Sequence, residues 1–211
     1  IVLLSLRVSL SAMLFACLIG LPLGAFVAIG RFRGRNAVLI TLNALMGLPP
    51  VVVGLLVYLH LSRAGPLGFL GLLYSPAAMI IAQTLLITPI IAALSRQVLE
   101  DLHVEYAEQF TSLCLTRWQS VQALLWDARH ALLTVALAGF GRAVAEVGAV
   151  MMVGGNIDHL TRVMTTAITL ETSKGDLPLA LALGLVLMVI ALGVNALVHG
   201  LRLTALRQAN A

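Results

Sequence analysis

The sequence predicts an all-α integral membrane protein of five spanning helices, with its N-terminus outside and its C-terminus in the cytoplasm. Three observations carry that expectation. The 211 residues are 60% hydrophobic and 10% charged, with a mean hydropathy of +1.03, against roughly 25% charged residues in ordinary soluble domains. The apolar residues form runs long enough to cross the roughly 30 Å hydrocarbon core of a bilayer. The basic residues are shared unevenly between the intervals that separate those runs. Such a chain is a single polytopic domain, 1–211, with no room for a separate water-soluble catalytic domain.

The first span covers residues 1–29 and carries no charge from Val8 to Ile29. Gly20, Pro22 and Gly24 give it a bend and a close-packing surface. It lacks the basic leader and small-residue cleavage pattern of a signal peptide, so no cleavable one is expected. The chain starts at Ile1 and not at Met, so some residues are expected to precede it. Arg31, Arg33 and Arg35 follow, the strongest orientation signal in the chain.

The second span, 37–61, contains Pro49-Pro50. These prolines remove two backbone donors and push Leu48 out of helical geometry, so a kink or break is expected. The pair serves either a translocation path or only the kink itself. Residues 62–75 form a turn-rich outer loop, and Pro76 opens a third span, 76–99, in which Pro89 is another kink point. A polar interval occupies 100–130. A fourth span, 131–153, and a fifth, 177–201, enclose an irregular Gly- and Thr-rich outer loop, 154–176.

Orientation follows from counting. If the loop 31–35 is inside, the inner face holds Arg31, Arg33, Arg35, Arg96, Arg117, Arg129, Arg202 and Arg207, and the outer side holds Arg7, Arg63, Arg162 and Lys174. Eight against four obeys the positive-inside rule. The net charge of +4 therefore reports topology, and nucleic-acid binding is a poor reading.

The interval 100–130 holds five of the nine acidic residues: Glu100, Asp101, Glu105, Glu108 and Asp127. Between Val104 and Cys114, Ala107, Phe110, Leu113 and Cys114 recur at helical spacing, which predicts a short amphipathic helix. Thr116 and Gln119 have the spacing of a capping box and start a second helix. Its apolar side is Trp118, Val121, Leu124 and Leu125. By physics alone, two such helices either lie in the headgroup layer or present themselves to a partner.

Further along, Arg142 and Glu146 stand four residues apart and share one helix face. Unpaired charges at membrane depth are costly, so a mutual ion pair is expected; it serves either packing or a path beside it. Thr161, Thr165, Thr169 and Thr172 recur at helical spacing, along one face of a short helix dipping toward the path, as oxyanion donors or as ordinary caps. Asn195 reads as interhelical glue. The histidines, His60, His103, His130, His159 and His199, show no metal-ligand spacing. Cys17 and Cys114 lie in different settings, so a disulfide is not expected and each reads as a small buried hydrophobe.

The run Glu108-Gln109-Phe110, then Cys114, then Thr116-Arg117-Trp118-Gln119 resembles the cytoplasmic "EAA" loop of ABC importer permeases. Gln109 and Phe110 stand where that pattern has two alanines, Cys114 where it has glycine, and Trp126-Asp127 where Leu-Pro is usual. Residues 140–149 (Phe-Gly-Arg-Ala-Val-Ala-Glu-Val-Gly-Ala) and Gly154-Gly155-Asn156-Ile157 resemble the fourth-span signature of molybdate, tungstate and sulfate permeases. Within that group, residues 161–168 and 171–176 look most like tungstate permeases, and residues 48–54 and 65–68 match the same group.

The resemblance implies the type I ABC importer permease fold in a prokaryotic cytoplasmic membrane. It implies a homodimer with two ATP-binding cassette subunits and an extracytoplasmic anion-binding protein as partners. The chain has no Gly-x-x-x-x-Gly-Lys-[Ser/Thr] loop, so it binds no cofactor directly and ATP is used by the partners. Glu105, Glu108, Phe110, Cys114, Thr116, Arg117, Trp118 and Gln119 are the implied ATPase-coupling residues. Candidates for the translocation path are Pro49, Pro50, Arg142, Glu146, Thr161, Thr165 and Thr169. The alternatives are a permease for molybdate or sulfate, a passive channel, and an intramembrane enzyme, for which Arg142 and Glu146 are the sole charges at membrane depth.

Overall fold

The computed structural model describes residues 1–30 and 32–209, except the side chains of Arg117, Val198, His199 and residues 201–209. Arg31, and the side chains of Arg202 and Arg207 in the charge count, of Arg117 in the coupling set and of His199, thus lie outside the described residues.

Two long helices, α1 (Val2–Ile29) and α4 (Pro76–Glu105), run along each other through the middle of the protein. Small residues let them approach. A Cβ on Gly24 would stand 2.7 Å from the Ala92 carbonyl oxygen, and one on Gly20 3.1 Å from that of Thr88. This four-residue spacing of glycines is the close-packing surface of α1. Pro22 and Pro89 are accommodated inside their helices.

The second apolar run forms two helices, α2 (Arg35–Met46) and α3 (Pro50–Leu61), bent by 100°. Pro49 caps α3 in extended geometry and Pro50 is its first residue, so the chain leaves one helix and starts another. Each half has 12 residues, about 18 Å, too short to cross a bilayer by itself.

Helix α4 continues to Glu105, beyond the expected end of the third span at 99, and carries the start of the polar interval with it. The interval goes on as α5 (Ala107–Ser112) and α6 (Arg117–Asp127). The fourth run is not one helix: α7 (Arg129–Val144) stops, the helical hydrogen-bond ladder is interrupted over residues 145–147, where Glu146 N turns to Ala143 O, and α8 (Gly148–Gly154) follows. The outer loop is also more ordered than its composition predicts. Residues 164–174 form α9 (Met164–Lys174), whose start is held by Val163 N donating to Thr166 Oγ1 at 3.1 Å. Helix α9 packs on the last helix, α10 (Leu177–Ala209).

Buried apolar clusters follow α4 from end to end. At one end Val53, Val57, Met79, Ala82, Val150 and Val153 join α3, α4 and α8. In the middle Ala12, Ala16, Ile87, Ile91 and Val135 join α1, α4 and α7. At the other end Ala25, Leu99, Leu124 and Leu132 bring in α6. There Arg35 reaches Glu100 at 2.7 Å and donates through Nε to Val27 O at 2.9 Å, while Arg96 also bonds Glu100. The basic loop and the polar interval therefore share one end of the bundle.

By length and composition α1, α4 and the 177–197 part of α10 can each cross a bilayer; up to five spans result if each bent helix pair counts as one.

Candidate functional site

Two sites emerge. The first is the elbow made by α5 and α6. Helix α5 ends with Cys114 at φ 50°. Leu115 N donates to Phe110 O and Cys114 N to Thr111 O, both at 3.1 Å, the pair of bonds that closes a helix with a left-handed residue. Glycine is the usual residue there because it has no Cβ to strain. This is a physical reason for the glycine of the loop pattern, and here cysteine takes the same turn.

Helix α6 then starts at a formed capping box. Thr116 N donates to Gln119 Oε1 at 2.9 Å, and Gln119 N donates to Thr116 Oγ1 at 3.4 Å. Phe110, half-buried, packs edge-on to Tyr106 at 5.9 Å and near His103 at 6.2 Å. Leu124 is fully buried against α1 and α4, with Val121 and Leu125 beside it. Tyr106 OH donates to Asp127 Oδ2 at 2.8 Å, tying the two ends of the elbow; this bond, and the charge beside it, raise the phenol above its ordinary pKa.

Trp118 lies on the same side of α6, lining an open groove with Val121, Leu125 and Pro22, Ala25 and Phe26 of α1, yet it is 69% exposed. Leu113, at 70%, is equally bare, and Glu105, Glu108 and Gln119 are exposed. Cys114, expected to be buried, is exposed as well because the left-handed turn it makes stands at the tip of the elbow, and Cys17 is only half-buried. The elbow is thus anchored by Phe110 and Leu124, while its tip carries exposed apolar and acidic groups.

The second site is the break at 145–147. Arg142 Nη1 bonds Glu146 Oε2 at 2.6 Å. Glu146 is 3% exposed, and its other carboxylate oxygen accepts from Ala149 N at 3.0 Å, which caps the start of α8. Its carbonyl accepts from Thr165 Oγ1 at 2.9 Å. A buried carboxylate with its lone pairs shared among an arginine and a helix start is well satisfied where it stands. The proline break lies alongside: a Cβ on Gly148 would be 2.9 Å from Val51 Cγ2, and one on Gly54 2.8 Å from the Ala149 Cα. Both interruptions of the backbone, after Gly47 and at 145–147, therefore meet.

The threonines divide. Thr161 lies before α9, not on it, and is buried, donating to Gly154 O at 2.6 Å and accepting from Ile157 N at 2.9 Å. Thr165 belongs to the break. Thr169 and Thr172 donate to Thr165 O and Ile168 O, each one turn back. All four hydroxyl hydrogens are thus directed at backbone carbonyls. Arg142, Glu146 and Thr165 come together; Pro49 and Pro50 start the helix whose Val51 and Gly54 pack on α8, and Thr161 and Thr169 bond elsewhere.

One residue at the break was missed by sequence reasoning. Gln83, 3% exposed in the middle of α4, donates through Nε2 to Ala143 O at 3.0 Å. A lone amide inside an otherwise apolar spanning run was the signal. Among the described residues there is no group of three or more His, Cys, Asp or Glu placed to hold a metal ion.

The tungstate uptake system permease protein TupB of Peptoclostridium acidaminophilum is 42% identical over 202 residues, covering 96% of this chain and 89% of that protein. A probable anion ABC transporter permease protein of Haloferax volcanii is 39% identical, covering 92% of this chain and 85% of its own. The tungstate uptake system permease protein TupB of Campylobacter jejuni is 38% identical, covering 82% and 72%. A family profile described as the binding-protein-dependent transport system inner membrane component matches residues 20–202. With that match running through the elbow and both breaks, the chain belongs to the binding-protein-dependent transport system inner membrane component family.

Proposed function

We propose that the chain is the permease subunit of an ABC importer for tungstate. One observation carries the substrate: two relatives at 42% and 38% identity are both tungstate uptake permeases. The chain crosses a prokaryotic cytoplasmic membrane five times, with the N-terminus outside and the 31–35 loop, the elbow and the C-terminus inside. The pairing of Arg35 with Glu100 supports this, since it holds the basic loop and the polar interval at one end. Two copies form the path, two ATP-binding subunits sit below, and a soluble anion-binding protein delivers substrate from above.

In this reading the elbow is the coupling element. Its exposed tip, with Glu105, Glu108, Leu113, Cys114 and Trp118, seats in a groove of the ATPase. Phe110 and Leu124 join it rigidly to α1 and α4, so a push on the tip is delivered to the bundle. The paired breaks beside Pro49, Pro50, Arg142, Glu146 and Thr165 are where the helices yield. An arginine neutralised by Glu146 attracts a divalent oxyanion without holding it permanently. The chain is a transport subunit and not an enzyme; hydrolysis belongs to the partner.

Uptake of labelled anions by proteoliposomes holding this chain, its ATPase and its binding protein tests the substrate. Tungstate accumulates if the reading is right; molybdate or sulfate accumulation without tungstate overturns it.

A further inference from the structure

A backbone break at membrane depth strands amides and carbonyls that a continuous helix would satisfy, and in hydrocarbon each stranded group is expensive. At 145–147 those groups are met from three directions. The Glu146 carboxylate caps α8 from within the break, Thr165 of α9 donates to the Glu146 carbonyl, and Gln83 of α4 donates to the Ala143 carbonyl at 3.0 Å. In an unbroken helix the Ala143 carbonyl would take the Val147 amide. Here it takes Glu146 N at 3.2 Å and the Gln83 amide instead.

The other end of the Gln83 amide is just as telling. Its Oε1 is buried with no protein partner, and Gln83 borders a cavity of about 20 Å³ that Ser5, Ser9, Glu146 and Thr165 also line. A space of that size with several polar neighbours holds one water molecule. Gln83 is a rare amide in an apolar helix, and α4 is the element that also carries Glu100 and the elbow at its far end.

We infer that Gln83 is the positioning residue that keeps α7 and α8 apart, holding the Arg142–Glu146 pair in register with α4 through the Ala143 carbonyl and one bridging water. It rests on the reading of this break as the yielding point of a transport path. Because α4 also runs to the elbow, Gln83 links movement of that helix to the state of the break.

The test is Gln83→Met, which keeps the side-chain length and removes both polar atoms, in proteoliposomes with the ATPase and the binding protein. Tungstate uptake per ATP hydrolysed should fall about tenfold, the scale of a lost buried hydrogen bond. A merely structural role would lower uptake and hydrolysis together and leave the ratio unchanged; an unchanged ratio overturns the inference. If Gln83→Met does not assemble, Gln83→Asn takes its place: its shorter amide cannot reach Ala143 O, and a parental ratio in that variant overturns the inference equally. Should the parent complex itself show no ATP-driven tungstate uptake, the transport reading fails first. An experimental structure of the parent that resolves waters then decides Gln83 alone. A water on Oε1 with Nε2 on Ala143 O sustains the inference, and a continuous α7–α8 helix or an amide turned away removes it.

Discussion

Replacing Glu146 with glutamine isolates the charge of the buried pair, because the new amide oxygen can still cap Ala149 N. What is lost is the partner of Arg142, at 2.6 Å. Stripping one member from a buried pair costs about 3–5 kcal/mol. The Arg142 side chain is 35% exposed while Glu146 is 3%, so the stranded arginine keeps some hydration and the low end, about 3 kcal/mol, applies. For a chain of this size that corresponds to a fall in Tm of about 6–12 °C. Glu146→Ala should lose about 1 kcal/mol more, since the start of α8 is then uncapped. The double variant Arg142→Met/Glu146→Gln buries no unpaired charge and should recover most of the loss. Thermal unfolding of the purified protein in detergent, followed by circular dichroism, reads all three. A Glu146→Gln variant within about 2 °C of the parent, or a double variant no more stable than the single one, would refute the claim that this pair is a satisfied unit.

Substitutions at three other positions probe the packing and the elbow. Gly24→Val should separate α1 from α4, because the new atoms would overlap the Ala92 carbonyl; a loss of about 1–3 kcal/mol is expected in the same assay. Cys114→Gly should stabilise by roughly 0.5–1 kcal/mol by relieving a side chain at positive φ, whereas Cys114→Val should destabilise and lower ATPase stimulation. Thr116→Ala removes the capping box and about 1 kcal/mol of support for α6; stimulated hydrolysis by the partner ATPase is the sensitive readout.

What could be read in the residues was mostly local. Long charge-free runs mark α1, α4 and α10, since no other environment accepts so many adjacent apolar groups. Pro49-Pro50 marks a helix break because the chemistry is contained in the two residues. Thr116 and Gln119 mark the start of α6 for the same reason, and the four-residue spacing of Arg142 and Glu146 marks their pairing. What was hidden depends on partners distant in the chain. The break at 145–147 follows an apolar pattern that continues unchanged through Val147 and Ala149. It is held by Thr165 and Gln83, which no local periodicity reveals. Arg35 and Glu100 are 65 positions apart. Helix α9 was legible in part: Thr165, Thr169 and Thr172 stand at helical spacing and lie on it, whereas its bounds and its buried residues, Met164 and Ala167, do not follow from a loop-like composition of threonines and glycines. Trp118 shares the apolar side of α6 with Val121 and Leu125, as its spacing indicates, but helical spacing fixes direction around an axis and not depth of burial, and it stays 69% exposed.

The coupling role of the elbow is tested most directly by reconstituting the chain with its ATPase and binding protein and following labelled tungstate with and without ATP. Accumulation should require ATP and should be lost, together with stimulated hydrolysis, in Glu108→Lys, which reverses the charge in the first turn of α5 without touching Phe110 or Leu124. Accumulation that proceeds without ATP and is indifferent to Glu108→Lys would contradict that role and identify a passive channel.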